Sequence, residues 1–483
     1  MSKDPCSGVG LTKVQSLMTR PVTKSMTPSS PTILLSKRVI LSGESSPVPA
    51  SLWIQDGKIE RVDRDQDILN RSNELHGAEV LDVGHAVIMS GLVDTHAHIN
   101  EPGRTEWEGF QTATRAAAAG GITTVVDMPL NSIPATTSHA AFNVKRQAAE
   151  GNTLIDYGFW GGLIPGNFQE LPALVEAGVM GFKCFLIDSG VPEFPSVDEA
   201  LLREVMPHLA RYDLPLIVHA ELESPVKSPS QFRRYQHYLD SRPSQWEVDA
   251  VRLMIKLAAE TSCRVHIVHL SAADALDEIR KAKKQGIPIT AETCPHYLFF
   301  TSEEIEDGLT QFKCAPPIRE RANRERLWEG LQEGVIDFIV SDHSPCIPEL
   351  KCQSIGDFNQ AWGGISGLQF SLSVVWTEMK RRDLSINQLS RWMSERTAHF
   401  IGLDGKKGSL VTGADADFIV WDPEQETTLT SQMVLHRHSL TPYDGCKLSG
   451  RVLKTFVRGI QVYGEGIASD AMGGEFISRS LIK

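Results

Sequence analysis

The chain has 483 residues, more than one average domain holds but enough for one large barrel and a smaller companion. Its composition, 41% apolar and 22% charged, is globular and excludes wholesale disorder. The net charge of −12 argues against nucleic acid or an anionic membrane as a partner, and no apolar run approaches the roughly 20 residues that span a bilayer.

The N-terminal segment, residues 1–30, is rich in Ser, Thr and Pro and is basic. It predicts a disordered tail, with a weak organelle-targeting sequence as the alternative; no apolar segment typical of a secretory signal follows. Eight scattered cysteines without a C-x-x-C pair indicate reduced thiols and an intracellular protein. The cytoplasm is the favoured compartment, and the mitochondrion and the peroxisome stay open.

Short β-like segments punctuated by turns occupy both ends of the chain. They predict a small β-sandwich domain built from residues 31–88 and 401–466, followed by a C-terminal tail at 467–483. Asp56-Gly57 is the expected turn of one hairpin. The predicted strands are Pro31–Leu41, Ala50–Val62, Glu79–Met89, Ala416–Trp421 and Val452–Tyr463.

Between the two ends, residues 89–400, apolar runs alternate with helix-like stretches at the spacing of βα units. The runs are almost entirely apolar and do not alternate between apolar and polar residues, which is typical of parallel strands covered on both faces. Eight such units predict an α/β fold, a distorted (β/α)8 TIM barrel. The predicted strands are Val87–His98, Ile122–Met128, Leu154–Gly162, Val179–Ile187, Leu214–His219, Arg264–His269, Ile287–Thr293 and Val335–Asp342. Predicted helices between them include Trp107–Ala119, Val197–Leu209, Ala250–Glu260 and Asp274–Gln285.

Polar side chains collect at the C-terminal ends of these strands, which form the active-site face of a parallel barrel. His96 and His98 end the first strand and, two residues apart, point the same way. A single histidine of this kind is more often an ordinary polar residue than a ligand, but the set together predicts a metal site. The predicted ligands are His96, His98, Lys183, His219, His269 and Asp342.

Lys183 is the unusual member, because an ammonium beside divalent cations is strongly disfavoured. A buried lysine can lose its proton, and the neutral amine can take up CO2 to form a carbamate (N6-carboxylysine) that bridges two metals. A plain ion pair is the alternative. Histidine-rich ligation with carboxylate oxygens favours two zinc ions, with manganese or cobalt as alternatives.

Two such metals would lower the pKa of a bridging water towards neutrality and polarise a substrate carbonyl. Asp342 is predicted to bind one metal, to take the proton from that water and to pass it to the leaving nitrogen. Asp342 is thus the predicted catalytic base and acid. The predicted reaction is hydrolysis of an amide or ester by a metal-bridging hydroxide.

The motifs around these residues resemble the amidohydrolase superfamily and, within it, the cyclic amidases dihydroorotase, dihydropyrimidinase and allantoinase. The resemblance spans residues 31–464 and implies that Lys183 bridges two metals, with Asp342 on the first. It favours His269 over the nearby His266 as a ligand. The implied pairs are His96 with His98 on the first metal and His219 with His269 on the second. The motifs include Gly91-Leu-Val-Asp-Thr-His-Ala-His98, Gly181-Phe-Lys-Cys184, Val218-His-Ala-Glu221, Val268-His-Leu-Ser271, Glu292-Thr-Cys-Pro-His-Tyr297 and Val340-Ser-Asp-His343.

Neighbouring positions distinguish the branches. Dihydroorotases have an arginine where Asn100 stands, and hydantoinases have a tyrosine where Asp188 stands. Longer motifs, such as Asn100-Glu-Pro-Gly-Arg-Thr-Glu-Trp-Glu-Gly109 and Asp188-Ser-Gly-Val-Pro-Glu193, resemble the allantoinases. This implies ring opening of allantoin to allantoate in purine breakdown, by a homotetramer. A dihydropyrimidinase is the alternative, and a non-catalytic scaffold relative is a weaker one, since all six ligand positions are kept.

Allantoin is small, polar and essentially uncharged, so its site needs hydrogen-bonding groups without a fixed counter-charge. Asn131 is predicted to contact its ring or ureido group, with a turn as the alternative. Cys314 and Gly364 match positions where cyclic amidases contact the ring through backbone groups, and a flexible turn is the alternative for Gly364. His296 has no assigned role, and Cys184 is expected to pack or contact substrate rather than act as a nucleophile.

Overall fold

The structure is a computed structural model that describes residues 31–64, 78–226 and 231–479. The predicted N-terminal tail, residues 1–30, lies outside these ranges. The strands are β1 Thr32–Val39, β2 Val48–Gln55, β3 Lys58–Asp63, β4 Glu79–Asp82, β5 Val87–Ser90, β6 Leu92–Ala97, β7 Ile122–Asp127, β8 Asp156–Phe159, β9 Gly161–Gly162, β10 Phe182–Phe185, β11 Leu216–His219, β12 Val265–Ile267, β13 Ile289–Thr293, β14 Phe338–Ile339, β15 Phe418–Thr428, β16 Lys447–Val457, β17 Ile460–Gly464 and β18 Ile467–Ala468.

The α-helices lie mostly between the strands of the central region, as the alternating pattern predicts. Among the described residues, no helix combines the length and the apolar character that crossing a membrane requires. The helices are α1 Phe110–Ala119, α2 His139–Ala149, α3 Leu171–Ala177, α4 Glu199–Arg211, α5 Tyr235–Ser241, α6 Ser244–Thr261, α7 Leu276–Lys284, α8 Pro295–Phe299, α9 Arg321–Gln332, α10 Ser371–Arg381, α11 Ile386–Ser390 and α12 Arg396–Phe400.

Strands from both ends of the chain pair into one sheet, in the order β18-β17-β16-β15-β5-β1-β2-β3, with β4 also paired to β1. The antiparallel pair β5–β15 joins the two halves. The sheet bends back on itself: Ile59 in β3, at one edge, donates its N–H to the carbonyl of Ala414 just before β15, 2.9 Å away. Apolar side chains of both halves fill the space inside, including the stacked rings of Phe418 and Phe456. The predicted β domain from both chain ends is confirmed.

Parallel strands form the barrel in the order β6-β7-β8, then β9-β10-β11-β12-β13-β14. Strands β8 and β9 are two parts of one predicted strand. The ring closes where His98 donates its N–H to the carbonyl of His343, 2.8 Å away, beside a parallel bridge from Ala97 to His343. The predicted (β/α)8 barrel is confirmed, and all eight predicted strand segments contribute to it.

The boundary between the β domain and the barrel lies at Gly91. The single strand predicted over Val87–His98 is divided there into β5, which belongs to the sheet, and β6, which belongs to the barrel. A Cβ atom at Gly91 would lie 2.2 Å from Oγ1 of Thr123, so the close packing of the Thr123 side chain against this backbone requires glycine.

The C-terminal segment differs from the predicted tail. Strand β18 extends the sheet, and residues 474–477 run beside β8, where the N–H of Ile477 donates to the carbonyl of Tyr157, 2.8 Å away. The ring of Phe476 contacts those of Phe142 and Phe159, and Ile477 is buried. Burial of these two apolar side chains accounts for the attachment of the segment to the barrel.

A buried ion-pair cluster also joins the two domains. The ammonium of Lys407 lies 2.5 Å from Asp156 at the start of β8, 2.9 Å from Asp415 and 2.6 Å from Asp417 just before β15. Although these three carboxylates are close together, Lys407 supplies their counter-charge together with Lys58, which pairs with Asp415, and Arg458, which pairs with Asp156. We therefore interpret this cluster as a structural link between the domains.

Candidate metal centre and substrate cavity

All six predicted ligands lie at the C-terminal mouth of the barrel and are buried. They come from five strands or the residues just after them, so the closure of the barrel brings them together. Ring centroids lie 5.6 Å apart for His96 and His98, 5.4 Å for His96 and His269, and 4.6 Å for His219 and His269. Of the ligand atoms, those of His96, His98 and Asp342 lie within 4.8 Å of one another.

One ring nitrogen of each histidine in β6 and its extension is held by the protein. Nδ1 of His96 lies 2.5 Å from Oε1 of Glu292, and Nδ1 of His98 lies 3.1 Å from the carbonyl of Leu130. The two Nε2 atoms lie 3.1 and 3.8 Å from Oδ1 of Asp342, and that of His96 is buried without a hydrogen bond. Both Nε2 atoms are therefore the ones available to a metal.

The second pair of histidines is arranged differently. Nε2 of His219 lies 2.7 Å from Oε2 of Glu221, which leaves Nδ1 of His219 for a ligand. Glu221 is in turn paired with Arg242. The ring of His269 has a buried Nδ1 without a hydrogen-bond partner. Buried polar atoms without partners are rare and mark the place of an absent ion or water.

Glu221 and Glu292 are functional residues that the sequence analysis did not assign. Both lie within the quoted motifs, and Glu221 stands two residues after His219, where a strand would place it on the same face. That spacing was the available signal. Carboxylates that bind the second nitrogen of a histidine fix its ring and raise its basicity as a ligand.

His266 does not face the cavity. Its Nδ1 lies 2.8 Å from the hydroxyl of Thr290 and its Nε2 lies 3.0 Å from Oε2 of Glu292, and its ring stacks on Phe338. Both nitrogens are thus occupied. His269 is therefore the histidine that is available as a metal ligand, as the resemblance favoured. His266 instead holds the carboxylate of Glu292 in place.

Lys183 lies in β10 with 1% of its surface exposed. No described carboxylate lies within ion-pair distance of its ammonium, and Nζ lies 5.0 Å from the centroid of the Phe185 ring. Burial lowers the pKa of Lys183 to about 8, in spite of the opposite effect of Asp342. The plain ion pair considered as an alternative is absent from the described residues, and the amine is suited to losing its proton.

The charges around His96 suit a bound cation. Burial alone would lower the pKa of His96, but the carboxylates of Asp342 and Glu292 outweigh it and raise that pKa to about 9. His98, by contrast, has its pKa lowered by burial to about 3. The two carboxylates thus favour a positive charge at His96, and a divalent cation bound to its Nε2 would supply that charge while the imidazole is neutral. The residues present therefore fit the two-metal site that the resemblance to the amidohydrolases implies.

A cavity of about 550 Å³ opens above the cluster, a volume that suits a small heterocycle. Its floor includes His98, Lys183, His269 and Asp342. Its remaining polar lining includes Asn131, Asp188, Arg242, Lys313, Ser344, Asn359 and Gln360.

The three predicted substrate contacts are placed unequally. Asn131 lines the cavity and donates from Nδ2 to Oδ1 of Asn100, 3.1 Å away. Gly364 also lines it, and a Cβ there would lie 2.3 Å from the carbonyl oxygen of Ser344. Cys314 is buried behind the wall, and its carbonyl accepts a hydrogen bond from the hydroxyl of Tyr238, 2.7 Å away.

Two residues with open roles are buried. Cys184 packs in the core, and burial raises its pKa to about 12, so it stays a thiol and packing accounts for it. His296 lies near Asp342, and neither ring nitrogen has a partner among the described residues. Burial lowers the pKa of His296 to about 4, so its imidazole is neutral.

Comparisons with known proteins agree with this geometry. The model of the amidohydrolase family matches residues 87–462. The chain is 46% identical to an allantoinase of Streptomyces avermitilis, over 91% of this chain and 97% of the relative. It is 48% identical to a mitochondrial allantoinase of Aquarana catesbeiana, over 80% and 79% of the two chains. The L-hydantoinase (dihydropyrimidinase) from Arthrobacter aurescens superimposes with a TM-score of 0.86 at 29% identity, covering 92% of this chain and 99% of the other.

Proposed function

The chain belongs to the amidohydrolase family, and we propose that within it the protein is an allantoinase. It is a hydrolase of cyclic amides, and its substrate is a small molecule. Allantoin is opened at a cyclic amide bond of its five-membered ring to give allantoate. The observation that best supports this proposal is that five of the six predicted ligands line one cavity, with His96 directly behind Asp342, in a chain so similar to known allantoinases.

We propose that two zinc ions occupy the centre, with Lys183 as the carbamate that joins them. Bound there, the metals would polarise the amide carbonyl and lower the pKa of the attacking water, so that it gives up its proton more readily. The lack of an ion pair at Lys183 and its lowered pKa support the carbamate. The proposed ligands of the first ion are His96, His98 and Asp342, and those of the second are His219 and His269.

Asp342 is the proposed proton carrier. Burial would raise its pKa, but His96 and its neighbours hold that pKa well below the usual range, so the group is ionised and carries no proton of its own. The hydroxyl of Ser344 lies 3.3 Å from Oδ1 and orients the group. The carboxylate accepts the proton of the attacking water and returns it to the ring nitrogen that leaves.

The substrate contacts are proposed to be Asn131 and the backbone around Gly364, with the peptide groups beside Cys314. Asn131 is held by Asn100, so its amide oxygen is presented in a fixed orientation. This set offers hydrogen bonds to an uncharged ring, as allantoin requires.

The decisive experiment combines metal analysis with substrate comparison on the purified protein. We expect about two metal ions per chain and rapid opening of allantoin, with dihydrouracil and hydantoin much slower. A protein that opens dihydrouracil and leaves allantoin intact would be a dihydropyrimidinase. A protein without metal and without activity on any of these rings would be a scaffold relative.

The assembly and the compartment are also proposals. We propose a homotetramer, which light scattering on the eluting peak would test against a 53.3 kDa chain. We propose the cytoplasm as the location, with residues 1–30 as a mitochondrial targeting sequence or peroxisomal import as the alternatives. Fractionation of cells with and without those residues distinguishes the outcomes.

A further inference from the structure

A buried lysine stands behind one wall of the cavity. Lys351 has 4% of its surface exposed and ends a short 3-10 turn that begins at Pro348. Its ammonium donates to the carbonyl oxygens of Lys313 at 3.1 Å and Trp362 at 2.9 Å, and also to that of Gly364. No carboxylate of the described residues lies within ion-pair distance. A buried ammonium is unfavourable unless hydrogen-bond acceptors replace its water. The three carbonyl groups therefore have to stay close to this one ammonium.

The backbone segments that hydrogen-bond to Lys351 also line the cavity. Gly364 also donates its N–H to the carbonyl of Lys313, 2.9 Å away, and Trp362 donates to that of Leu350, 2.7 Å away. A second ammonium, that of Lys313, lies 3.1 Å from the carbonyl of Asn359 and 2.5 Å from that of Ala361. The carbonyl oxygens of the wall over residues 359–364 are therefore largely directed to lysines and away from the substrate.

This arrangement determines where the N–H groups of the wall point. The peptide bond between Trp362 and Gly363 is trans, so its N–H is directed opposite to the carbonyl that Lys351 holds. Gly363 lines the cavity, and its N–H has no acceptor among the described residues. An ammonium on the carbonyl also polarises the peptide and strengthens its N–H as a donor.

We infer that Lys351 is a positioning residue for the substrate, which holds the Trp362–Gly363 peptide so that the N–H of Gly363 donates to a carbonyl oxygen of the bound ring or its ureido group. The inference rests on the proposed function. Lys351 itself touches no reacting atom and acts through the wall.

Two variants test this role from opposite directions. Lys351→Met keeps the length of the side chain and removes its charge and donors. Gly363→Ala adds a methyl group whose nearest heavy atoms, Cβ and N of Ala315, are 3.7 Å away, so the fold has room for it. The methyl group would take up space that the proposed substrate contact needs. The control is Lys283→Met, which removes a half-buried lysine that is paired with Asp337 far from the cavity.

For both test variants we expect KM for allantoin to rise about tenfold, the loss of one good hydrogen bond, with a smaller change in kcat and the same metal content as the parent. Gly363→Ala should keep the thermal midpoint of the parent. Lys283→Met should keep the KM of the parent, even where its thermal midpoint falls. Lys351→Arg, which retains donors and charge, should recover part of the lost affinity.

The outcomes separate this inference from the proposed function. A parent protein that leaves allantoin intact contradicts the function itself. An active parent with unchanged KM in both test variants overturns the role of Lys351. Loss of metal and of kcat at constant KM overturns it as well, because the lysine would then support the metal centre. If Lys351→Met does not fold, Gly363→Ala decides: a raised KM at constant thermal midpoint supports the inference, and an unchanged KM overturns it.

Discussion

Replacement of Glu292 by glutamine removes one charge at the centre of the histidine network. The carboxylate is 1% exposed, and its Oε1 lies 2.5 Å from Nδ1 of His96 while its Oε2 lies 3.0 Å from Nε2 of His266. Burial would raise the pKa of Glu292, but His96 and His266 lower it to about 2, so it is ionised. Glutamine has the same shape but puts an NH2 group against one of these two histidines.

The magnitude follows from what the carboxylate does for His96. A carboxylate on the second nitrogen of a ligating histidine typically contributes ten- to a hundredfold to metal affinity, which is about 1.4–2.8 kcal/mol. Because Glu292 is shared between His96 and His266, rotation of its amide relieves one histidine only at the expense of the other. We therefore expect Glu292→Gln to lower the metal affinity by about ten- to a hundredfold.

The assay is competition for zinc with a chromophoric chelator, together with kcat at saturating metal. The matched control is Glu378→Gln, since Glu378 is 2% exposed and pairs with Arg381 at the end of α10 and with Arg382 just after it, away from every predicted ligand. Equal metal affinity in Glu292→Gln and the parent would refute the reasoning. So would an equal loss in the control, because the effect would then come from instability alone.

Three further predictions concern other buried groups. Lys183→Ala should lose metal and activity, with partial rescue by small carboxylic acids, as read by metal analysis and turnover with and without them. Lys145→Met should lower the free energy of unfolding by about 3–5 kcal/mol in urea, because it leaves the fully buried carboxylate of Asp127 without its partner 2.6 Å away. Burial lowers the pKa of His436 to about 3, so the folded state binds fewer protons than the unfolded state below about pH 6.5, and stability falls as the pH falls through that window. His436→Gln should therefore lose about 1.6 kcal/mol less than the parent between pH 6.5 and 5, measured by urea unfolding at each pH.

Each of these has a contradicting result. Full activity of Lys183→Ala would exclude the bridging role. For Lys145, the exposed pair of Arg203 with Glu199 is the contrast, where Arg203→Gln should cost far less because water solvates both charges; equal losses in the two variants would contradict the burial argument. An unchanged dependence of stability on pH in His436→Gln would show that this histidine is protonated without loss of structure.

The barrel and the position of its site were predictable because both depend on local patterns. Apolar runs at regular spacing define parallel strands, and residues at strand ends such as His96, His219 and Asp342 meet wherever eight such strands close. The i, i+2 spacing of His96 and His98 fixed their common direction from two residues alone. The boundaries were less accessible: Gly91 divides a strand that reads as continuous, and the need for glycine there comes from contact with Thr123 of the next strand.

The partners of the predicted residues were set by the tertiary structure alone. Glu292 stands 196 residues from His96 in the chain, and no periodicity relates the two, yet it selects which nitrogen of His96 is left for a metal. Contacts between remote segments likewise attach Phe476 to the barrel. They also provide the three carbonyl groups to which Lys351 donates hydrogen bonds. The sequence by itself determined the class of fold and the kinds of ligand, since these follow from strand pattern and side-chain chemistry. The tertiary structure decided how each ligand is oriented and how the substrate wall is held, since hydrogen-bond partners are chosen in three dimensions.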